Sequence, residues 1–268
     1  MNLIGVMWAK NEADIISETI DAAVRCVDSL LIADDGSTDN TWQIIQDKKR
    51  QHASIEHVQQ KPNGIDRGQR QALLDVVRQR YNAADTWVQV VESDVFILDT
   101  DIRECLAGFN GMALSWQTLN AVRRPGTWAS VDTYPHWERS IRELMPFAHR
   151  MEVMLYTFRP LPELRYSEVW RPWPQGFSRY SSEPVKVYHK SPDSPLLLHV
   201  GHRGPTHFHL KYQDMGRWHT RYKDWDLSSP ERIEATVPFF NGRWNGDPFP
   251  ANRGGWQTWL KKRSGSPT

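Results

Sequence analysis

Two cysteines in 268 residues cannot build a disulfide framework. Cys26 and Cys105 sit among apolar neighbours (Val24 and Val27; Leu106 and Phe109), so both read as reduced core residues. Net charge is almost missing as well: 33 basic against 32 acidic residues leave +1, so no whole-molecule field selects nucleic acid or an anionic membrane. No apolar run approaches the roughly 20 residues that a membrane-spanning helix needs. The amino terminus enters Leu3-Ile4-Gly5-Val6 with no basic leader or cleavage pattern, and neither a repeat nor a low-complexity tract follows. These absences lead to the expectation of a cytoplasmic protein, with length for one large α/β domain and a sizeable core.

What is present is organised around Leu30-Leu31-Ile32-Ala33-Asp34-Asp35-Gly36-Ser37-Thr38-Asp39-Asn40-Thr41. A short apolar run flanked by polar residues fits a parallel strand covered on both faces. Gly36 supplies a permissive turn, and Ser37, Thr38 or Asp39 can cap a helix running to about Arg50. Asp34 and Asp35 then lie at the carboxyl end of a strand, the edge where open α/β sheets bind ligands. Before this stretch, Leu3–Met7 reads as a central strand, and Asn11 is expected to cap a helix burying Ile15, Ile16, Thr19, Ile20, Ala23, Val24 and Val27. After it come a strand over Ser54–Val58, a helix through Ala72, Leu73, Val76 and Val77, and a strand over Trp87–Val91. This last strand again runs into acids, Glu92-Ser93-Asp94. Such alternation with short connections predicts a mostly parallel, Rossmann-like sheet flanked by helices.

Asp-Asp-Gly-Ser-Thr-Asp-Asn-Thr after an apolar strand resembles the nucleotide-binding signature of family 2 glycosyltransferases, which have the GT-A fold. Val6-Met7-Trp8-Ala9-Lys10-Asn11-Glu12 is similar to the first strand and Asn-Glu turn of that family. The resemblance is close over the first forty or so residues and thins after about residue 100. It implies that Asp34 and Asp35 meet the base or ribose of a UDP-like nucleotide, together with Trp8, Ala9 and Glu12, and that Trp8 could stack on the base. Arg67 and Arg70 occupy the place of a basic segment near the diphosphate. Glu92-x-Asp94 resembles the Asp-x-Asp motif of the family with Glu in the first position. Asp94 is then the direct ligand of Mn2+ or Mg2+, and Glu92, beside Ser93, reaches the ribose or a metal-bound water.

Beyond residue 100, proline and tryptophan interrupt regular structure. Strands are expected over Met112–Leu119, Met151–Phe158 and Leu196–Val200, and a short helix over Glu138–Met145. The expected division is a nucleotide-sugar-binding half over 1–110, an acceptor-binding half of the same domain over 111–240, and a loop-rich tail over 241–268. His199 ends the last apolar strand; by the same resemblance it is a further metal ligand, and Lys211 approaches the diphosphate. A zinc site finds no support in the spacing of His199, His202, His207, His209 and His219. An inverting transferase also needs a carboxylate to deprotonate the acceptor hydroxyl. Asp132, in an irregular segment with Trp128, Tyr134 and Trp137, is the first choice for that base, and Glu138 the next. Ten of the thirteen tryptophans lie past residue 100, and flat aromatic faces suit sugar rings as well as unstacked bases.

The leading expectation is a metal-dependent glycosyltransferase that uses a nucleotide-diphosphate sugar, with a glycan or lipid-linked saccharide as acceptor. A transferase acting on modified DNA bases is an alternative, and a non-catalytic sugar- or nucleotide-binding module is another. A sugar-phosphate nucleotidyltransferase would need a Gly-rich basic loop after the first strand, which Trp8-Ala9-Lys10-Asn11-Glu12 does not supply.

Overall fold

In this computed structural model the described residues are 1–60, 67–97, 102–107, 109, 111–122, 147–166, 186–187, 196–202, 208–209 and 225–236. The chain divides into two compact units, Met1–Thr118 with Val153–Leu197, and Leu119–Glu152 with Leu198–Thr268.

Apolar strands set the centre of the first unit. β1 (Asn2–Ala9) is buried from its second residue onward, and β2 (Ser29–Asp34) and β4 (Thr86–Glu92) are buried throughout. Strands with no exposed face must pair on both sides and be covered above and below. β1 accordingly pairs in parallel with β2 on one side and β4 on the other, while β3 (Ile55–Gln60), more exposed, pairs in parallel with β2. The resulting order β3-β2-β1-β4 is that of a doubly wound sheet, whose order reverses between β1 and β4. Gly5 permits close packing in the middle of β1: a Cβ there would lie 2.8 Å from Leu30 Cδ1.

Three helices make the crossovers. α1 (Ile16–Val24) buries Ile16, Thr19, Ile20 and Ala23, the stripe predicted from sequence, and α2 (Thr41–Gln51) packs beside it. α3 (Arg67–Arg80) lies against β1 and β2, with Leu73, Leu74 and Val77 in the core. Past β4, the short strand β5 (Val95–Ile97) and the helix α4 (Ile102–Leu106) follow, neither anticipated from sequence. β6 (Ala113–Val122) and β7 (Phe147–Phe158) overlap the predicted strands and extend beyond them. β7 runs antiparallel to β4 through Val88 with Phe158 and Gln89 with Thr157. The two-residue strand β8 (Lys186–Val187) pairs with β6.

Arg78 on α3 ties the chain after β7 to the first half of this unit. Its guanidinium donates to the carbonyls of Pro160, Leu161 and Leu164, the last at 2.6 Å, and burial holds its pKa below the usual arginine value. Cys26 is buried and its thiol donates to the Ala22 carbonyl; Cys105 is partly buried against the core.

In the second unit, β9 (Leu196–His202) is mostly contained, and α5 (Pro230–Thr236) buries Ile233. Phe208 meets Trp225 edge-on at 6.3 Å, and the Asp226 amide donates to Thr236 Oγ1. The helix expected over Glu138–Met145 and the tail expected over 241–268 lie outside the described residues. Among the described residues no helix is long and apolar enough to cross a membrane.

Candidate functional site

The parallel register brings the polar strand ends together. Ala9 is level with Asp34 on β2, and Trp8 is level with Glu92 on β4. At about 4.8 Å between neighbouring strands, the ends of β2 and β4 are about 10 Å apart, with β1 between them. Glu92, Ser93 and Asp94 thus leave the sheet beside Trp8, at the point where strand order reverses. Asp35, one residue past β2, is held at the same edge because its amide donates to the Ala9 carbonyl at 2.9 Å. Asp34, Asp35, Glu92, Ser93 and Asp94 are all buried.

Asp34 and Asp35 do different work. The Asp34 carboxylate accepts from the Gly36 amide (3.1 Å), the Ser37 amide (2.9 Å), the Gln60 side-chain amide (3.0 Å) and the Ser37 hydroxyl. A carboxylate has about four acceptor sites, so these four donors engage the side chain fully within the turn. Gly36, at φ 72°, provides the left-handed residue this turn requires. Asp34 was expected at the nucleotide; its carboxylate is observed to build the loop that leads into and past Asp35.

A second set of bonds joins that loop to the one after β1. The Asn11 side-chain carbonyl accepts from the Thr38 amide at 2.8 Å, and the Asn11 amide donates to Ser37 Oγ at 2.9 Å. The Glu12 amide donates to Thr41 Oγ1 at 2.7 Å, and the Ala13 amide to Asp39 Oδ2 at 3.1 Å. Asn11 was expected to cap α1. Instead it takes φ 53° and braces the neighbouring loop, while α1 begins at Ile16 without a side-chain cap. Asparagine is one of the few residues that tolerate this conformation. Helix α2 is served by Asp39, whose Oδ1 accepts from the Thr41 amide. Thus Asn11, Ser37, Thr38, Asp39 and Thr41 shape the edge, and their concentration in two short polar strings was the signal available in the sequence.

At the β1–β4 boundary lies a buried group drawn from four elements. The Arg70 guanidinium of α3 sits over the Trp8 ring, 3.5 Å from its centroid, and 3.9 Å from Glu92 Oε1. The Tyr156 hydroxyl of β7 donates to Glu92 Oε2 at 3.0 Å. One face of Trp8 is therefore covered by Arg70, and the ring is only 8% exposed. The base-stacking expected of that ring finds no open platform on this face. Glu12 is fully buried, and its carbonyl accepts from the Ile15 and Ile16 amides at the start of α1.

Arg67 opens α3, and His199 lies on β9; the side chains of both are outside the described residues. Asp132, Glu138 and Lys211 lie wholly outside them. His209, one of the clustered histidines, has Nδ1 2.9 Å from the Leu227 carbonyl. Among the described residues, no group of three or more histidine, cysteine and acidic side chains is disposed to hold a metal ion. The acids at the sheet edge are all oxygen donors, the chemistry of a hard divalent cation held by one or two carboxylates and completed by substrate phosphates.

Comparison with solved structures returns nucleotide-sugar enzymes at low similarity. The TarS 1-349 fragment of S. aureus in complex with UDP has 18% identity over 51% of this chain and 38% of its own, with a TM-score of 0.34. The mannosyltransferase PcManGT from Pyrobaculum calidifontis, in complex with GDP-Man and Mn2+, has 15% identity over 98% of this chain and 73% of its own, with a TM-score of 0.43. Glucosyl-3-phosphoglycerate synthase from Mycobacterium tuberculosis, in complex with Mn2+ and UDP-glucose, has 19% identity over 59% of this chain and 56% of its own, with a TM-score of 0.31. The chain thus spans well under two thirds of the first of these. No curated protein matches it by sequence. The sequence profile of Glycosyl transferase family 2 matches residues 6–147, more than half of the chain and all of the sheet edge described above, and the chain accordingly belongs to glycosyl transferase family 2, on a GT-A fold.

Proposed function

We propose that this protein transfers a sugar from a nucleotide-diphosphate donor, a UDP-sugar by preference, to an acceptor hydroxyl with the help of Mn2+ or Mg2+. The observation that carries the reading is the meeting of Trp8 and Glu92 in register at the β1–β4 switch point, with Asp94 two residues on. Doubly wound sheets bind nucleotides at such a point. A divalent cation held at this edge would supply charge neutralisation for the departing diphosphate. Asp94 is the protein ligand proposed for this cation, and His199 is the further ligand that the family resemblance implies. Asp35, presented by the Asp34 turn, accepts hydrogen bonds from the base or ribose, as does the neighbouring Glu92–Ser93 segment. Arg70 lends positive charge to the diphosphate end, and Arg67 and Lys211 are assigned to the same anion.

The acceptor is a glycan or lipid-linked saccharide, and transfer proceeds with inversion; Asp132, then Glu138, is the proposed base. The division into 1–110, 111–240 and 241–268, and a cytoplasmic location, complete this reading. Carboxylates at the ends of both β2 and β4 favour turnover over a non-catalytic binding module, since a module that only binds needs no acid for a metal ion. The test is titration calorimetry with UDP, with and without Mn2+, followed by a screen of nucleotide sugars for hydrolysis. Metal-dependent UDP binding and hydrolysis of one donor are expected. A preference for nucleoside triphosphates, or binding indifferent to chelation of the metal, refutes it.

A further inference from the structure

We propose that Tyr156 is the positioning residue for Glu92, and that its hydroxyl fixes the carboxylate, guanidinium and indole at the donor-binding edge as one unit. This rests on the reading of that edge as a nucleotide-diphosphate sugar site. Glu92 has one methylene more than the aspartate that could stand at the same strand end, hence one more rotatable bond to restrain. A flexible carboxylate there would lose orientation and, with it, selectivity for a hydroxyl or a metal-bound water. The restraint comes from β7. Tyr156 is 1% exposed, and its hydroxyl donates to Glu92 Oε2 at 3.0 Å, which leaves Oε1 on the side of Arg70. Arg70 in turn covers Trp8, so a displacement of Glu92 is felt at the indole.

The support behind Tyr156 is rigid. Its neighbour Thr157 is level with Gln89 in the β4–β7 ladder and donates to Gln89 Oε1 at 2.6 Å. Trp116 Nε1 donates to Thr157 Oγ1 at 2.5 Å from β6. A phenol mounted on a strand braced in this way holds its target more precisely than a loop residue would. Tyr156 thus extends the functional set beyond the strand-end loops, to an antiparallel strand that follows Glu92-Ser93-Asp94 by some sixty residues.

The experiment compares full-length wild type, Tyr156→Phe, Glu92→Asp and the double variant by calorimetry with UDP and Mn2+ and by thermal melting. Loss of one hydrogen bond to a charged group corresponds to roughly tenfold in affinity. Tyr156→Phe is expected to bind UDP about tenfold more weakly and to melt a few degrees lower, since the buried bond it removes also supports the fold. Glu92→Asp keeps the phenol but withdraws the carboxylate from it and is expected to give a similar loss; because Glu92 itself faces the donor, this variant serves to close the cycle with Tyr156→Phe. The double variant is expected to match either single one, because both remove the same contact. Arg78→Lys, which loosens a distant clamp, lowers the melting temperature while leaving UDP affinity intact. Unchanged affinity in either single variant, or additive losses in the double, overturns the assignment of Tyr156. Wild-type protein that binds no UDP overturns the nucleotide reading itself, and the positioning role falls with it.

Discussion

Replacing Asp34 separates loop construction from ligand contact. Its carboxylate is fully buried and accepts from two backbone amides, one side-chain amide and one hydroxyl. In Asp34→Asn the side-chain carbonyl can take the Oδ1 position and keep three of these donors. The new amide group then faces the Ser37 hydroxyl, which can turn to accept. The expected cost is about 1 kcal/mol. Asp34→Ala strands the Gly36 and Ser37 amides and the Gln60 amide. With each unsatisfied buried donor worth about 1–3 kcal/mol and water reaching part of the turn, the loss is about 2–4 kcal/mol. In a chain of this size that is roughly 4–16 °C in melting temperature. Differential scanning fluorimetry and UDP calorimetry on both variants are the assays. Asp34→Asn should melt within a few degrees of wild type and bind UDP within about threefold. If Asp34→Asn keeps its melting temperature but loses tenfold or more in UDP affinity, the carboxylate contacts the nucleotide and the assignment to the turn is wrong. If Asp34→Ala melts like wild type, the hydrogen bonds in the turn contribute nothing and the argument fails at its root.

Other perturbations give equally direct outcomes. Asn11→Ala should lose about 2–3 kcal/mol, from the Thr38 acceptor and the strain of φ 53° together, while Asn11→Gly recovers about 1 kcal/mol of that; equal urea midpoints for the two would remove strain from the account. Arg78→Ala should cost about 2–4 kcal/mol in urea denaturation, with Arg78→Lys recovering only part, because an ammonium lacks the fork that reaches three carbonyls. Full recovery by lysine would show that charge alone suffices. Glu56 accepts from the hydroxyls of Ser29 and Tyr81, which hold its pKa below the ordinary glutamate value. A depressed folded-state pKa gives stability that is present above the unfolded value of about 4.3 and is lost as pH falls through the folded one. Glu56→Gln should therefore flatten the fall in stability below about pH 4.3, and an unchanged acid limb would exclude Glu56 as a contributor.

The parts of the fold visible in the sequence are those governed by short-range pattern. β1, β2 and β4 were legible because burial on both faces calls for near-continuous apolar runs, and α1 because Ile16, Thr19, Ile20 and Ala23 keep helical spacing. β5 and α4 escaped because three and five residues are too few to show a period. α5 begins on a proline and buries Ile233, but its seven residues are mostly polar. The misreading of Asn11 has a specific cause. Asparagine before an apolar helical stretch is a good cap by local rules, but the same side chain can reach a neighbouring loop that only the parallel pairing of β1 and β2 brings close.

That distinction explains why the acids were readily singled out and the contacts that aim them were not. Strand ends carrying Asp35, Glu92 and Asp94 are written in the chain as carboxylates directly after apolar runs, and parallel register alone sets them along one edge. Their orientation depends on partners far away in sequence: Asn11 braces Thr38 across 27 residues, Arg70 reaches Trp8 and Glu92, and Tyr156 meets Glu92 across 64. No local pattern encodes such a pair, because its energy exists only after the sheet has formed. A site of this kind is therefore half written in motifs and half in packing. On the proposed reading the first half determines where a nucleotide can bind, and the second how its ligands are held, which is where a single hydroxyl on β7 would matter as much as an acid in the signature.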